Sequence, residues 1–119
     1  MANPNIVETA EILGKTYCQL ATTSLLDFLS NGSSSGVILK VNTVMVANIN
    51  QSNAVTADLS YRIGTTENYL AYRISVPVGS SIALIGKDTP IYIEEAHKLK
   101  IRASASSSLH FTVSYEIIS

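Results

Sequence analysis

The chain has 119 residues, of which 46% are hydrophobic and 14% charged, with a formal net charge of −1. That length and apolar content give one domain with a real core and exclude a disordered tail, while the balanced charge excludes the cationic footprint of a nucleic-acid binder. The charged fraction is well under the roughly 25% of an ordinary soluble domain, which points to a surface partly covered by other subunits.

Residues 1–11 read as an arm, because Asn3-Pro4-Asn5 is a poor start to any element and Ile6-Val7 is too short for a strand of its own. Ile6 and Val7 are its candidate contacts with a neighbouring subunit. No cationic segment followed by an apolar run opens the chain, so no secretory signal is expected, and the apolar runs are too short to span a membrane. Residues 12–119 form the single domain.

Tyr17 to Ala21 alternates as a strand. It contains Cys18, the one cysteine, expected to be a buried thiol; alone it excludes an intrachain disulfide framework and a cysteine-based metal site. Ser24 to Leu29 fits either a helical face or a strand, and its β-rich flanks favour the strand. Asn31 to Gly36, NGSSSG, is a loop that lacks the lysine and following helix of a phosphate-binding loop. Val37 to Ile49 is a long strand. Strict alternation puts Val37, Leu39, Val41, Thr43, Met45, Ala47 and Ile49 on one face, yet Val44 and Val46 make the other face apolar too. Such a strand is central in its sheet or covered by a partner.

Ala57 to Ile85 reads as three consecutive strands joined by two turns, a meander. Ala57, Leu59, Tyr61 and Ile63 alternate with Asp58, Ser60 and Arg62. The second strand puts Leu70, Tyr72, Ile74 and Val76 inward and Tyr69, Arg73 and Ser75 outward. Pro77-Val78-Gly79 suits a type I turn with Pro second and Gly fourth. Pro90 to Glu94 is a further strand, Glu95-Ala96-His97 a turn, and Leu99, Ile101 and Ala103 alternate with Lys98, Lys100 and Arg102. In the closing strand Leu109, Phe111, Val113, Tyr115 and Ile117 face inward. Strands at about ten-residue spacing with turns between them predict an all-β, antiparallel β-sandwich of jelly-roll type, with a small β-barrel as the alternative. An immunoglobulin-like sandwich is disfavoured, since there is no Trp and a single Cys.

No constellation spells out a reaction. His97 and His110 lack ligand spacing, Glu94 and Glu95 point to opposite faces of a strand, and Asp58 and Asp88 fit no calcium loop. No enzyme activity, cofactor or metal is therefore expected. Six tyrosines, among them Tyr61, Tyr69, Tyr72 and Tyr92, raise sugar binding as a competitor, but the inward register of Tyr61 and Tyr72 favours a core role. Arg62, Tyr69 and Arg73, all outward, are candidate subunit contacts.

The order of several motifs resembles small virion proteins of tailed bacteriophages, those of cyanobacteria and other marine bacteria especially. These are Val46-Ala47-Asn48 at the end of an early strand, V-P-x-G-S at Val76–Ser80 and P-I-Y-I-E-E at Pro90–Glu95. L-K-I-R-A-S-A at Leu99–Ala105 and V-S-Y-E-I-I-S at Val113–Ser119 complete the set. The resemblance implies a non-enzymatic structural protein of the virion, assembled in the host bacterial cytoplasm. A capsid decoration or cement protein comes first, and a neck, tail or fibre component, with or without a host-glycan role, second. Its implied partners are other virion proteins, the major capsid protein or neck and tail proteins, and further copies of itself, with no nucleic acid and no membrane.

Overall fold

The computed structural model describes residues 12–86 and 88–119. The arm at 1–11, with Ile6 and Val7, lies outside the described residues. Nine strands follow in order: β1 Ile12–Leu20, β2 Leu26–Ser30, β3 Ile38–Asn48, β4 Val55–Ile63, β5 Thr66–Val76, β6 Ser81–Ile85, β7 Ile91–Ile93, β8 His97–Ala103 and β9 Leu109–Ile118. One sheet runs β1-β9-β3-β6, with β7 also paired to β3; the other runs β2-β8-β4-β5, and every pairing is antiparallel.

The connectivity is that of a long hairpin rolled up. The β4–β5 hairpin is its tip, and β3–β6, β2–β8 and β1–β9 pair in succession behind it; rolling then adds the β3–β9 and β4–β8 pairings. This is a jelly-roll sandwich, and among the described residues neither sheet closes into a barrel. The expected meander over Ala57–Ile85 is therefore corrected. β4 and β5 form a hairpin, but β6 leaves that sheet and pairs with β3 in the other. The turn between them also differs from expectation: Ser80 N–H donates to Pro77 O at 3.2 Å and Gly79 has φ +70°. Pro77 thus stands first and Gly79 third, where a type II turn needs a positive φ.

Between the sheets lies a single core, in which Leu59, Leu99, Ile101, Phe111, Val44 and Val46 are fully buried. The burial of each such side chain is worth about 1.5–3 kcal/mol. β8 and β9 follow the expected alternation, with Leu99, Ile101, Ala103, Phe111 and Val113 all buried. β3 does not. Its register against β9 slips at Asn42, since Val41 pairs with Tyr115 while Thr43 pairs with Ser114. The extra residue moves the inward set from Leu39 and Val41 to Val44 and Val46, so Thr43 and Met45 leave the core face. What looked like a strand apolar on both faces is a strand that changes face at a bulge. It is also central, as expected, flanked by β9 on one side and β6 and β7 on the other.

β5 carries two such bulges. Ala57 pairs with Ile74 and Leu59 with Ala71, then Ser60 with Tyr69. Two extra residues on β5 put Ala71 inward and turn Leu70 and Tyr72 out, leaving them 42% and 50% exposed. The inward register expected for Leu70 and Tyr72 is corrected accordingly.

Candidate functional site

Among the described residues β1 is an edge strand with little cover. It pairs with β9 over its whole length from Ile12↔Ile118 to Leu20↔His110, and no described strand pairs with its other edge. Leu13, Lys15, Tyr17 and Gln19 lie in register with the inward residues of β9, while Thr16, Cys18 and Leu20 share the outer face. The ring of Tyr17 reaches Phe28 on β2 at 5.7 Å, but β2 is five residues long against nine in β1 and leaves most of the inner side open. Ile12 is 59% exposed, Leu13 46%, Tyr17 43% and Leu20 36%. Cys18 is exposed too, against the expectation of a buried thiol, because none of the described strands forms a layer above its outer face.

Charge divides between the sheets. Among the described residues, the strands of the β1 sheet carry only Lys15, Lys40 and Glu116, and the last two are cross-strand partners. All other strand charges, Asp27, Asp58, Arg62, Glu67, Arg73, Lys98, Lys100 and Arg102, belong to the β2-β8-β4-β5 sheet. One broad face is thus polar but nearly uncharged, and the opposite one is a field of ion pairs.

Within that field Asp58, on β4 opposite the first bulge of β5, is the organising group. It is buried, at 6% exposure. Its Oδ1 accepts the backbone N–H of Arg73 at 2.6 Å, and its Oδ2 accepts Arg102 Nε at 2.7 Å, with Arg102 Nη2 also at 2.7 Å. The hydrogen bond to Asp58 raises the Arg102 pKa further, keeping the guanidinium charged. Arg102 Nη2 donates to Tyr69 Oη at 3.4 Å, the rings of Tyr69 and Tyr72 meet edge-on at 4.9 Å, and the Arg73 guanidinium stacks on the Tyr72 ring at 5.0 Å. Beside the cluster opens a cleft of about 580 Å³ walled by Asp58, Tyr72, Arg73, Arg102, Thr56 and Ser104 among others.

Of the residues singled out as outward, Tyr69 and Arg73 meet in this cluster and Arg62 does not. Arg62 is committed within its own hairpin, Nη1 to Glu67 Oε2 at 2.7 Å and Nε to Gly64 O at 2.9 Å. Asp58, Arg102 and Tyr72 were missed, because the bulge on β5 that gathers them is set by its pairing with β4 and has no mark in an alternating sequence. Tyr61 has the expected core role: its hydroxyl donates to Tyr92 O at 3.1 Å, accepts from Glu94 N–H at 3.3 Å and lies 2.9 Å from His97 Nδ1. His110 is exposed on β9. Among the described residues no group of three His, Cys, Asp or Glu side chains is placed to hold a metal ion.

No protein-family model matches the chain, and no curated protein matches it. Among solved structures it is similar to one described as "Bacillus endospore appendages form a novel family of disulfide-linked pili", at 14% sequence identity and a TM-score of 0.53, over 90% of this chain and 88% of that one. At that identity the likeness is one of fold. The resemblance to phage virion proteins rests on the sequence motifs.

Proposed function

We propose that the chain is a non-enzymatic structural subunit that meets its neighbours through strand β1 and the weakly charged sheet it borders. One observation carries this reading: among the described residues β1 is an open edge with apolar side chains exposed on both faces. Proteins that stay monomeric blunt such edges with charge, proline or cover, because the unpaired N–H and C=O groups template another chain. Here Lys15 is the one charge on the strand. Seating Ile12, Leu13, Tyr17 and Leu20 against a neighbour contributes roughly 1 kcal/mol each, and main-chain pairing fixes the register. Repeated at equivalent sites, a small contact of this kind stabilises a whole particle.

The finer assignment is to a bacteriophage virion, as a decoration or cement protein on the capsid; the ordered motifs from Val46 to Ser119 support it. A neck, tail or fibre subunit is the second reading, favoured by the fold likeness to a structure described as belonging to disulfide-linked pili of endospore appendages. Quantitative mass spectrometry of purified particles separates the two: hundreds of copies per particle support decoration, and a few to tens support the neck or tail. In either case the Ile12→Lys/Leu20→Lys double variant, which replaces two exposed side chains and no buried one, keeps its fold by circular dichroism and loses incorporation. Incorporation at the unsubstituted level would overturn the role of β1.

A further inference from the structure

The cleft beside Asp58 is not accounted for by an assembly that runs through β1, which belongs to the other sheet. Three features set it apart from the ordinary surface ion pairs Arg62–Glu67, Lys98–Asp27 and Lys100–Asp27 on the same sheet. Its carboxylate is buried and spent inside the protein, holding the backbone of one arginine and the guanidinium of the other. Its backbone is strained, since Arg73 sits at φ +52° in a bulge, where glycine or asparagine would be at ease and an arginine is not. Strain of this kind persists where surrounding structure holds it, and it gathers at ligand sites. Third, the strain delivers a guanidinium that forms no ion pair among the described residues.

The chemistry of the walls narrows the ligand. Two guanidiniums against one carboxylate leave the cleft one positive charge in excess. The Arg73 guanidinium, 5.0 Å from the centre of the Tyr72 ring, carries the planar N–H fork that meets a carboxylate through two parallel hydrogen bonds. Tyr72, half exposed, adds a flat apolar surface of the sort that packs on the C–H face of a pyranose ring. Thr56 and Ser104 add hydroxyl-bearing side chains to the lining. The cleft volume lies within the range of small-molecule sites. We infer that this cleft binds an acidic saccharide, with the sugar carboxylate on Arg73, the ring against Tyr72 and Asp58 as the group that positions both arginines.

The site is independent of the assembly reading, so the test uses the Ile12→Lys/Leu20→Lys variant beside the unsubstituted protein, and binding is expected in both. Isothermal titration calorimetry is run with a hexuronate oligosaccharide, a sialylated trisaccharide, the carboxyl-reduced form of the hexuronate and inorganic phosphate. At least one of the two acidic sugars binds, and the reduced sugar and phosphate bind at least about tenfold more weakly, as expected for loss of a charged hydrogen-bonded pair or of the ring contact. Arg73→Gly gives the sharpest control: glycine relieves the positive φ, so the melting temperature holds or rises while acidic-sugar binding falls at least about tenfold. Tyr72→Ala weakens binding as well without unfolding the chain. Absence of binding to both acidic sugars, equal binding of the reduced sugar or of phosphate, or undiminished binding by Arg73→Gly would each overturn the inference.

Discussion

Tyr61 joins three stretches of chain with one hydroxyl, bonding at Tyr92, Glu94 and His97. Burial is the main cause that lifts its pKa above the usual tyrosine value of about 10. The unfolded chain ionises this tyrosine first as pH climbs, so the contribution is whole below pH about 10 and is lost as pH rises through the folded value. Thermal melts from pH 8 to 11 should show an alkaline fall in melting temperature that is shallower in Tyr61→Phe. At neutral pH that variant is less stable by about 1 kcal/mol, having lost its hydroxyl bonds. Parallel curves for the two proteins would refute the assignment. Tyr61 was readable as a core tyrosine because it alternates cleanly with Arg62 and Ser60. Tyr72 and Cys18 were not readable. The first is turned out by a bulge, and the second lies on a strand whose layer ends short; neither property has a mark in the residues themselves.

Two asparagines do the same work at different strand ends. Asn48, the last residue of β3, donates through Nδ2 to Val76 O at 2.8 Å and Asn53 O at 3.1 Å, and its Oδ1 accepts Asn50 N–H at 2.8 Å. Asn31, following β2, donates to Ile93 O at 2.9 Å and Val37 O at 3.0 Å. Both are buried, and both bond to carbonyls at strand ends where the chain crosses between sheets. Asn48→Ala should cost about 2 kcal/mol in urea unfolding at unchanged m value, since it removes these bonds and leaves a buried carbonyl unpaired. A cost below about 0.5 kcal/mol would show the crossing to be held by other means. At this scale the sequence marks β4, β8 and β9 well, because the β4–β8 and β1–β9 registers run without a slip. It misplaces faces in β3 and β5, where one or two extra residues reverse a period-two pattern that composition cannot flag. The partner of β6 was equally hidden, since a strand that follows a tight turn reads as the next strand of a meander whether or not it changes sheet.

For the whole molecule, charge divides between the two broad faces. The sheet bordered by β1 carries three strand charges among the described residues, so the assembly proposed above would close this side at little desolvation cost. The opposite sheet holds the ion pairs and the Asp58 cleft, and an assembly built on the first leaves the second facing solution. The sandwich class followed from strand spacing and turn residues. The separation of faces did not, because it depends on which strands share a sheet, and that is set by non-local pairing. The most direct test of the account is hydrogen exchange at the amides of Ile12–Leu20, compared between the free subunit and the assembled particle. Pairing at the open edge predicts that the β1 amides not bonded to β9 exchange rapidly in the free subunit and become protected on assembly, while those of β8 scarcely change. Assembled subunits whose β1 amides exchange as fast as those of the free protein would contradict it.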